Sequence, residues 1–235
     1  MTTDIVVRSW VNDFEFLKYC LRSIQRFAKG FRRTIVITPF GQQPPTGVAE
    51  DVFHVAETHN EYLGQQVTKL HADAFTDAEF LVFMDSDTVF VRPVRPEDFI
   101  LDKRRVRWLY TPYSSLGNDD SQLWKPVTEK ALKCGNIQVE TMRRHPLVVP
   151  RWALEEFRKF MWRTHGISLD RYILDQPNRE FSEWNALGVY LWIYHHDRIE
   201  WQNTDEDMGT VFTHQSYSWN GLNPDLRAHL EAALA

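Results

Sequence analysis

Asp85 and Asp87 interrupt an apolar, β-prone stretch of the chain that covers residues 80–91. A buried strand does not normally contain acids in this pattern. A strand that carries residues 81–84 into a core would emerge at Asp85, and open α/β sheets bind ligands at the carboxyl ends of their strands. Because side chains two residues apart on an extended chain point the same way, both carboxylates could bind one hard divalent cation, with substrate phosphate oxygens completing its coordination. The alternative is that the two acids only end a strand in a solvated turn.

The length and composition are those of an ordinary globular protein. The chain has 235 residues, of which 43% are hydrophobic and 25% charged, which allows a full α/β core and excludes a disordered or fibrous protein. A net charge of −5 argues against a protein that coats nucleic acid. Two basic clusters, at residues 103–107 and 143–144, remain as local patches, and a solvated surface is their simplest interpretation.

Cysteine content and hydropathy bear on the location of the protein. Cys20 and Cys134 are too few and too far apart for a disulfide framework or a zinc site, which favours a reducing compartment. No stretch resembles a signal peptide, and none approaches the ~18 apolar residues that span a membrane. We therefore expect a soluble, cytoplasmic protein with no membrane span.

The start of the chain predicts a parallel sheet. Residues 4–10 read as a strand, residues 14–27 as a helix that Asn12 or Asp13 caps, and residues 32–38 as a second strand. This order of strand, helix and strand is typical of parallel α/β proteins.

The next elements lead to the two acids. Residues 52–56 predict a third strand and residues 62–75 a helix, which precedes the strand that ends at Asp85. This order places the helix beside the acids, so Gln66 and Lys69 could reach a phosphate or a sugar. A lysine whose ammonium lies in solvent is the alternative for Lys69.

The second half predicts further strands and helices. We expect a strand over 106–111, a polar loop over 114–124, a strand at the end of 141–149, and helices over 126–134, 152–164 and 181–194. The polar loop has a length often found in lids over active sites. Gly166 is expected to end the second of these helices, and Ser182 to cap the third.

Together these features resemble a small GT-A-type glycosyltransferase of the nucleotide-sugar-dependent superfamily, over roughly residues 4–217. The resemblance implies an α/β fold, with a single GT-A-like, Rossmann-related domain over residues 1–235 and a mostly parallel central sheet flanked by helices. Residues 1–111 would form the nucleotide- and metal-binding half, and residues 112–235 the acceptor-side half.

The resemblance assigns roles to the two acids and to His214. The segment Asp85-Ser86-Asp87 is similar to the Asp-x-Asp motif of the family, which implies Mn²⁺ or Mg²⁺ bridging the diphosphate of a nucleoside-diphosphate sugar donor. Asp87 would be the more direct metal ligand, and Asp85 would serve the ribose or the metal. His214 resembles the late histidine that completes the metal shell, although a lone histidine is often structural. The histidines that compete with it for this role are His71, His195 and His196.

Other positions match parts of the family that bind the substrates. His145 lies in a segment that resembles the lining of the donor-sugar and acceptor side. Arg8 and Trp10 stand at the end of the first strand, where such folds hold the nucleotide base, and the alternative for Trp10 is packing over the following helix. Glu183 resembles an acid at the start of a helix that faces the acceptor. It could act as a general base, or it could be an acid favoured there only by the helix dipole.

The function implied is metal-dependent transfer of a sugar to an acceptor hydroxyl. Direct attack with inversion follows if Glu183 is the base, and a retaining route stays open if it is not. The rivals are a haloacid dehalogenase-type phosphatase, with Asp85 as the nucleophile and Asp87 as the acid/base, and a non-catalytic sugar-binding module. The acceptor is open: a glycan, a protein or a modified DNA base, the last suggested only by the basic clusters at 103–107 and 143–144.

Overall fold

The computed structural model describes residues 1–45, 51–101 and 105–234. The strands are β1 (Thr3–Arg8), β2 (Thr34–Pro39), β3 (Asp51–Val55), β4 (Phe80–Asp85), β5 (Thr88–Phe90), β6 (Val106–Pro112), β7 (Val139–Glu140), β8 (Leu147–Pro150), β9 (Ile199–Asn203) and β10 (Thr213–Gln215). The α-helices are α1 (Phe14–Phe27), α2 (Glu61–Leu70), α3 (Trp124–Leu132), α4 (Arg151–His165), α5 (Leu169–Leu174), α6 (Glu183–Tyr194) and α7 (Pro224–Ala233).

A five-stranded sheet in the order β3-β2-β1-β4-β8 forms the centre of the fold. The first four strands of the chain run parallel in it, and β8 runs antiparallel to β4. This confirms the predicted mixed α/β fold with a mostly parallel central sheet flanked by helices. In the register of the sheet, Arg8 of β1 lies opposite Asp85 of β4. The carboxyl ends of the two central strands therefore meet at one edge.

The two central strands, β1 and β4, are buried along almost their whole length. β1 is buried at every residue, and β4 is buried from Phe80 to Met84. Parallel strands covered by helices on both faces have such continuous apolar runs, whereas a half-exposed strand alternates. One cluster of buried apolar side chains extends from Ile5 in β1 to Ile199 in β9. The single domain over residues 1–235 and its division at residue 111 stay predictions.

The apolar stretch over residues 80–91 is not one strand. The chain turns at Ser86 and Asp87, and β5 leaves the central sheet to pair antiparallel with β10. The expectation that Asp85 and Asp87 point the same way along one extended strand is therefore wrong. Serine and aspartate favour turns because their side chains can bond to nearby backbone groups, and here they separate two short apolar strands.

Helix α6 crosses the core because its sequence is apolar on all sides. All its residues from Glu183 to Leu191 are buried, and the ring of Trp184 packs on Phe83 of β4 with their centroids 4.8 Å apart. The predicted cap is confirmed, since the side chain of Ser182 accepts a hydrogen bond from the N–H of Asn185. Among the described residues, the helices are all too short or too polar to cross a membrane.

Several boundaries differ from those predicted. Helix α2 ends at Leu70 and a short 3₁₀ turn, Ala72–Ala74, replaces its expected last turn. Gly166 ends α4 in the left-handed conformation, as predicted. The strands and α-helices that the sequence did not predict are α5, α7, β7, β9 and β10. Lys103 and Arg104, within the basic cluster at 103–107, lie outside the described residues.

Candidate functional site

Asp85 lies at the carboxyl end of β4, where two buried or largely buried basic side chains hold its carboxylate. Its Oδ1 is 2.8 Å from Nζ of Lys69, and its Oδ2 is 3.0 Å from Nε2 of His145. Burial alone would raise the pKa of Asp85, but the charges and hydrogen bonds of Lys69 and His145 outweigh it and hold this pKa well below its ordinary value. Asp85 is therefore an anion with both oxygens paired.

Lys69 joins Asp85 to Glu183. Its ammonium is also 3.0 Å from Oε1 of Glu183, and the residue is only 3% exposed, so it does not lie in solvent. Burial would lower the pKa of Lys69, but the two carboxylates more than offset this and raise it. On the same helix, Oε1 of Gln66 accepts a hydrogen bond of 3.1 Å from the N–H of Glu183. As predicted from the chain order, Gln66 and Lys69 both lie beside the acids.

Asp87 lies in the turn after β4 and is held by the segment that follows β10. The N–H of Ser218 donates to its Oδ2 at 2.9 Å, Nε2 of Gln215 donates to its Oδ1 at 3.4 Å, and the N–H of Ser216 donates to its backbone carbonyl at 2.9 Å. Asp87 forms no ion pair within the part of the chain that the structure describes. Burial, together with the negative charge of Asp85, raises its pKa.

Asp13 is a third acid at this edge, and it was predicted only as a helix cap. Its side chain makes no capping bond. Instead, its carboxylate accepts a hydrogen bond from Nε1 of Trp10, at 2.9 Å, and lies beside the side chain of Ser218. Burial raises the pKa of Asp13, and the charge of Asp85 raises it further. Its position directly after the first strand of a parallel sheet was the signal that could have identified it.

Arg8 and Trp10 are at the predicted edge. Arg8 is buried and pairs with Glu61 of α2, and burial lowers the pKa of Arg8. Trp10 is half-buried and bonded to Asp13. Arg8 lies opposite Asp85 in the sheet, and the expected base-binding role of Arg8 and Trp10 stays a prediction.

The structure does not bring His214 to the acids. Thr213 and Gln215 of β10 contact His145 and Asp87. Since neighbouring side chains on a strand point to opposite faces, His214 faces away and its ring centroid lies 5.1 Å from that of His229 in α7. The expected role of His214 as a metal ligand is therefore not met.

The alternative histidines also have other partners. Nε2 of His71 is 2.5 Å from Oδ1 of Asp170 in α5. His195 contacts the hydroxyl of Tyr190 at 3.0 Å, and His196 packs its ring against Trp192. These three histidines are therefore engaged away from the turn that carries Asp87.

The residues at this edge fit a divalent cation in part. No group of three or more histidine, cysteine or acidic side chains is arranged to hold a metal ion within residues 1–45, 51–101 and 105–234. Asp13 and Asp87 nevertheless both have raised pKa values, because each buries negative charge close to Asp85. Mn²⁺ and Mg²⁺ prefer carboxylate, phosphate and water oxygens. Both oxygens of Asp85 are paired with Lys69 and His145, so Asp87 and Asp13 are the acids at this edge that could offer an oxygen to such an ion.

Buried polar atoms without partners surround the same edge. They are Nε of Arg8, Oγ of Ser9, Oγ1 of Thr88 and Oγ of Ser216, none of which has a hydrogen-bond partner among the described residues. Unpaired buried polar atoms are uncommon in folded proteins and often mark the place of an ion, a water molecule or a ligand. The edge therefore has unused hydrogen-bonding capacity for a polar ligand.

Comparison with protein families and with curated proteins identified no relative of this chain. No protein-family model matches the sequence, and no curated protein matches it.

Replacing Lys69 tests the charge balance of the site. Lys69→Met should lower the free energy of unfolding by about 3–5 kcal/mol, because it leaves the carboxylates of Asp85 and Glu183 buried without their shared cation. Urea unfolding of the two proteins measures the difference. The matched control is Lys159→Met, whose ammonium pairs with exposed acids on α4 and should change stability by at most about 0.5 kcal/mol. An equal effect of the two substitutions would contradict the bridging role of Lys69.

Replacing His145 tests the pair that it forms with Asp85. Burial would lower the pKa of His145, but the charge of Asp85 and the hydrogen bond between them raise it. The histidine therefore stabilises the fold below its unfolded pKa of about 6.5, and this contribution is lost as the pH rises through the raised folded value. Asp85, with its lowered pKa, contributes above about pH 3.9, and its contribution is lost as the pH falls through the folded value.

The stability lost in His145→Gln should consequently be largest between about pH 4 and pH 6.5 and should shrink at higher pH. Thermal melts from pH 4 to pH 9 in the presence of a chelator measure it. His59→Gln, at an exposed position, is the control and should follow the wild type throughout. A loss in His145→Gln that does not change with pH would show that the charged pair does not stabilise the fold.

Proposed function

We propose that the chain is a metal-dependent glycosyltransferase with a GT-A-like fold, which moves a sugar from a nucleoside-diphosphate donor to an acceptor hydroxyl. The observation that carries the proposal is the buried carboxylate of Asp87, which has no cationic partner among the described residues and stands beside Asp85 at the carboxyl edge of the sheet. Buried negative charge is costly unless it is paired. A cation that arrives with an anionic substrate would supply the missing pairing.

Donor binding at this edge would use the groups that lack partners. Asp87 and Asp13 would hold Mn²⁺ or Mg²⁺, which neutralises the charge that develops on the leaving nucleoside diphosphate. Arg8 and Ser9 follow the first strand and offer unpaired polar atoms, Nε and Oγ, to the nucleotide. Trp10 would present its indole to the base. Asp85 would keep its own pairs and position Lys69 and His145.

Glu183 is the group best placed to accept a proton from the acceptor. Its Oε1 is bonded to Lys69, which fixes the orientation of the carboxylate, while no hydrogen bond to its Oε2 is found among the described residues. In the reaction, the acceptor oxygen bonds to the anomeric carbon, the bond from that carbon to the donor phosphate breaks, and the acceptor proton passes to Glu183. Attack is then direct, and the anomeric configuration inverts.

The rival functions receive less support. A phosphatase of the haloacid dehalogenase type needs an oxygen of Asp85 free to attack phosphorus, and both oxygens are held by Lys69 and His145. A non-catalytic sugar-binding module would need no proton acceptor, whereas Glu183 is a buried acid beside the edge. The two free cysteines accord with the proposed cytoplasmic location.

A thermal-shift screen of nucleoside-diphosphate sugars tests donor binding. Stabilisation should require both the nucleotide sugar and Mn²⁺, and should reach about 2.7 kcal/mol at a ligand concentration of 100 Kd. Asp87→Asn should lose this shift, because it removes the charge that binds the cation. Asp197→Asn, an exposed acid beyond the far end of α6, is the matched control and should keep it. Release of phosphate from simple monoesters, without any response to nucleotide sugars, would instead favour the phosphatase.

Glu183→Gln tests the proton acceptor. General base catalysis contributes roughly 10²–10⁴-fold, so kcat, measured as nucleoside-diphosphate release with an active acceptor, should fall at least about 100-fold while the Mn²⁺-dependent donor shift persists. Glu180→Gln, three residues earlier, replaces an acid whose carboxylate lies 3.7 Å from the ammonium of Lys130, and it should retain full turnover. An unchanged kcat in Glu183→Gln would exclude Glu183 as the general base and would leave the retaining route open.

A further inference from the structure

A second concave site adjoins the candidate active site. It is a small pocket with a cavity volume of about 40 Å³, partly open to solvent, and is called the arginine pocket here. Its lining includes Arg107 of β6, Arg144 and His145 before β8, and Met208 and Phe212 in the segment before β10. The same His145 bonds to Asp85, so its imidazole forms a wall shared by the two sites.

Arg107 and Arg144 are the arginines of this pocket, and neither has an acidic partner among the described residues. Each donates through Nη1 to a neutral backbone carbonyl: Arg107 to that of Asp98 at 3.4 Å, and Arg144 to that of Met208 at 3.1 Å. The lining contains no aspartate or glutamate within the part of the chain that the structure describes. Most of their donor groups therefore remain available.

The neighbouring arginines behave differently. Arg105, on the same segment as Arg107, pairs with Glu200 at 2.8 Å, and Arg143 pairs with the buried carboxylate of Glu140. Arg105 and Arg143 are thus each paired with an acid, whereas their neighbours Arg107 and Arg144, which line the pocket, are not paired with an acid among the described residues. Both arginines are half-buried, and an anion bound in the pocket that they line would pair with them.

The chemistry of the lining indicates which anion. Arginine presents a planar fork of donors that matches phosphate and carboxylate oxygens. A phosphate monoester carries about −1.5 to −2 charges at pH 7, which balances two guanidinium groups, whereas a carboxylate or a phosphodiester carries one. Phe99, Leu109 and Pro146 add apolar surface to the lining, which suits the carbon skeleton that carries such a group.

We infer that the arginine pocket binds a phosphate monoester group of the acceptor, held by Arg107 and Arg144 on the far side of His145 from Asp85. That the ligand belongs to the acceptor rests on the proposed transferase function. Binding of a phosphate in the pocket itself needs neither the metal nor the donor. A monoester ligand disfavours internal positions of DNA as the acceptor, because these carry only phosphodiesters.

Binding of small phosphates by the wild-type protein tests the pocket without the reaction. Calorimetric titration with glycerol 3-phosphate, in a chelator and without nucleotide, should give saturable binding. Arg144→Gln and Arg107→Gln should each weaken it at least 10-fold, and Arg144→Lys should bind with intermediate affinity. The control Arg151→Gln should bind as the wild type, because Arg151 follows the end of β8 that lies beside Phe80, at the edge of the sheet opposite Asp85.

The comparison of anions separates the possible sources of binding. Glycerol 3-phosphate should bind more tightly than dimethyl phosphate or acetate, and sodium chloride at equal ionic strength should not reproduce the effect. Equal binding of the three anions, or binding that Arg144→Gln does not change, would overturn the inference. If Arg107→Gln does not fold, Arg144→Gln carries the test, since Arg144 lies in the segment before β8 and outside every strand and helix.

A final measurement distinguishes this pocket from the donor site. The Mn²⁺-dependent shift with nucleoside-diphosphate sugar should persist in Arg144→Gln, and the glycerol 3-phosphate effect should add to it in the wild type. Loss of the donor shift in Arg144→Gln would assign the pocket to the donor and overturn the inference. Phosphate binding that needs Arg144, in a protein with no response to any nucleotide sugar, would leave the pocket intact and refute the transferase.

Discussion

The buried ammonium of Lys69 is the constraint on which the candidate site depends. It lies on α2 and bonds both to Asp85 at the end of β4 and to Glu183 at the start of α6. One cation thereby connects the central sheet to the helix that crosses the core. The three charged groups stabilise one another, because removing any one of them leaves an uncompensated charge buried away from water. The position of Glu183 thus follows from the position of Asp85.

The charges at the edge of the sheet are divided unequally. Asp85 has two basic partners, whereas Asp87 accepts a hydrogen bond from Ser218, Asp13 accepts one from Trp10, and neither forms an ion pair among the described residues. The excess negative charge disfavours the folded protein on its own, and binding of a cation at this edge would offset it. A site that is costly in the free protein gains binding free energy when the ligand removes that cost. His145 then separates this acidic edge from the basic arginine pocket.

Much of the fold was predictable from local patterns. The continuous apolar runs of β1 and β4 and the strand-helix-strand order predicted a mostly parallel sheet, and burial of both its faces is what such runs require. Ser182 and Gly166 were identified as helix ends from residue type alone. Placement of Gln66 and Lys69 beside Asp85 followed from chain order. Short elements such as β10 and α5 were missed, because their few residues carry too weak a periodicity to distinguish them from loops.

The sequence by itself determined that acids would stand at the carboxyl edge of a parallel sheet, since an apolar strand must end where its polar residues begin. Only the tertiary structure decided their partners. Pairing of β10 with β5 turned His214 away and brought Gln215 and Ser218 to Asp87, and the start of α1 brought Asp13 to the same place. The contacts of Asp87 with Gln215 and Ser218 join residues 128 and 131 positions apart. Local propensity acts over a few residues, so contacts at that separation are set by the packing of the whole chain.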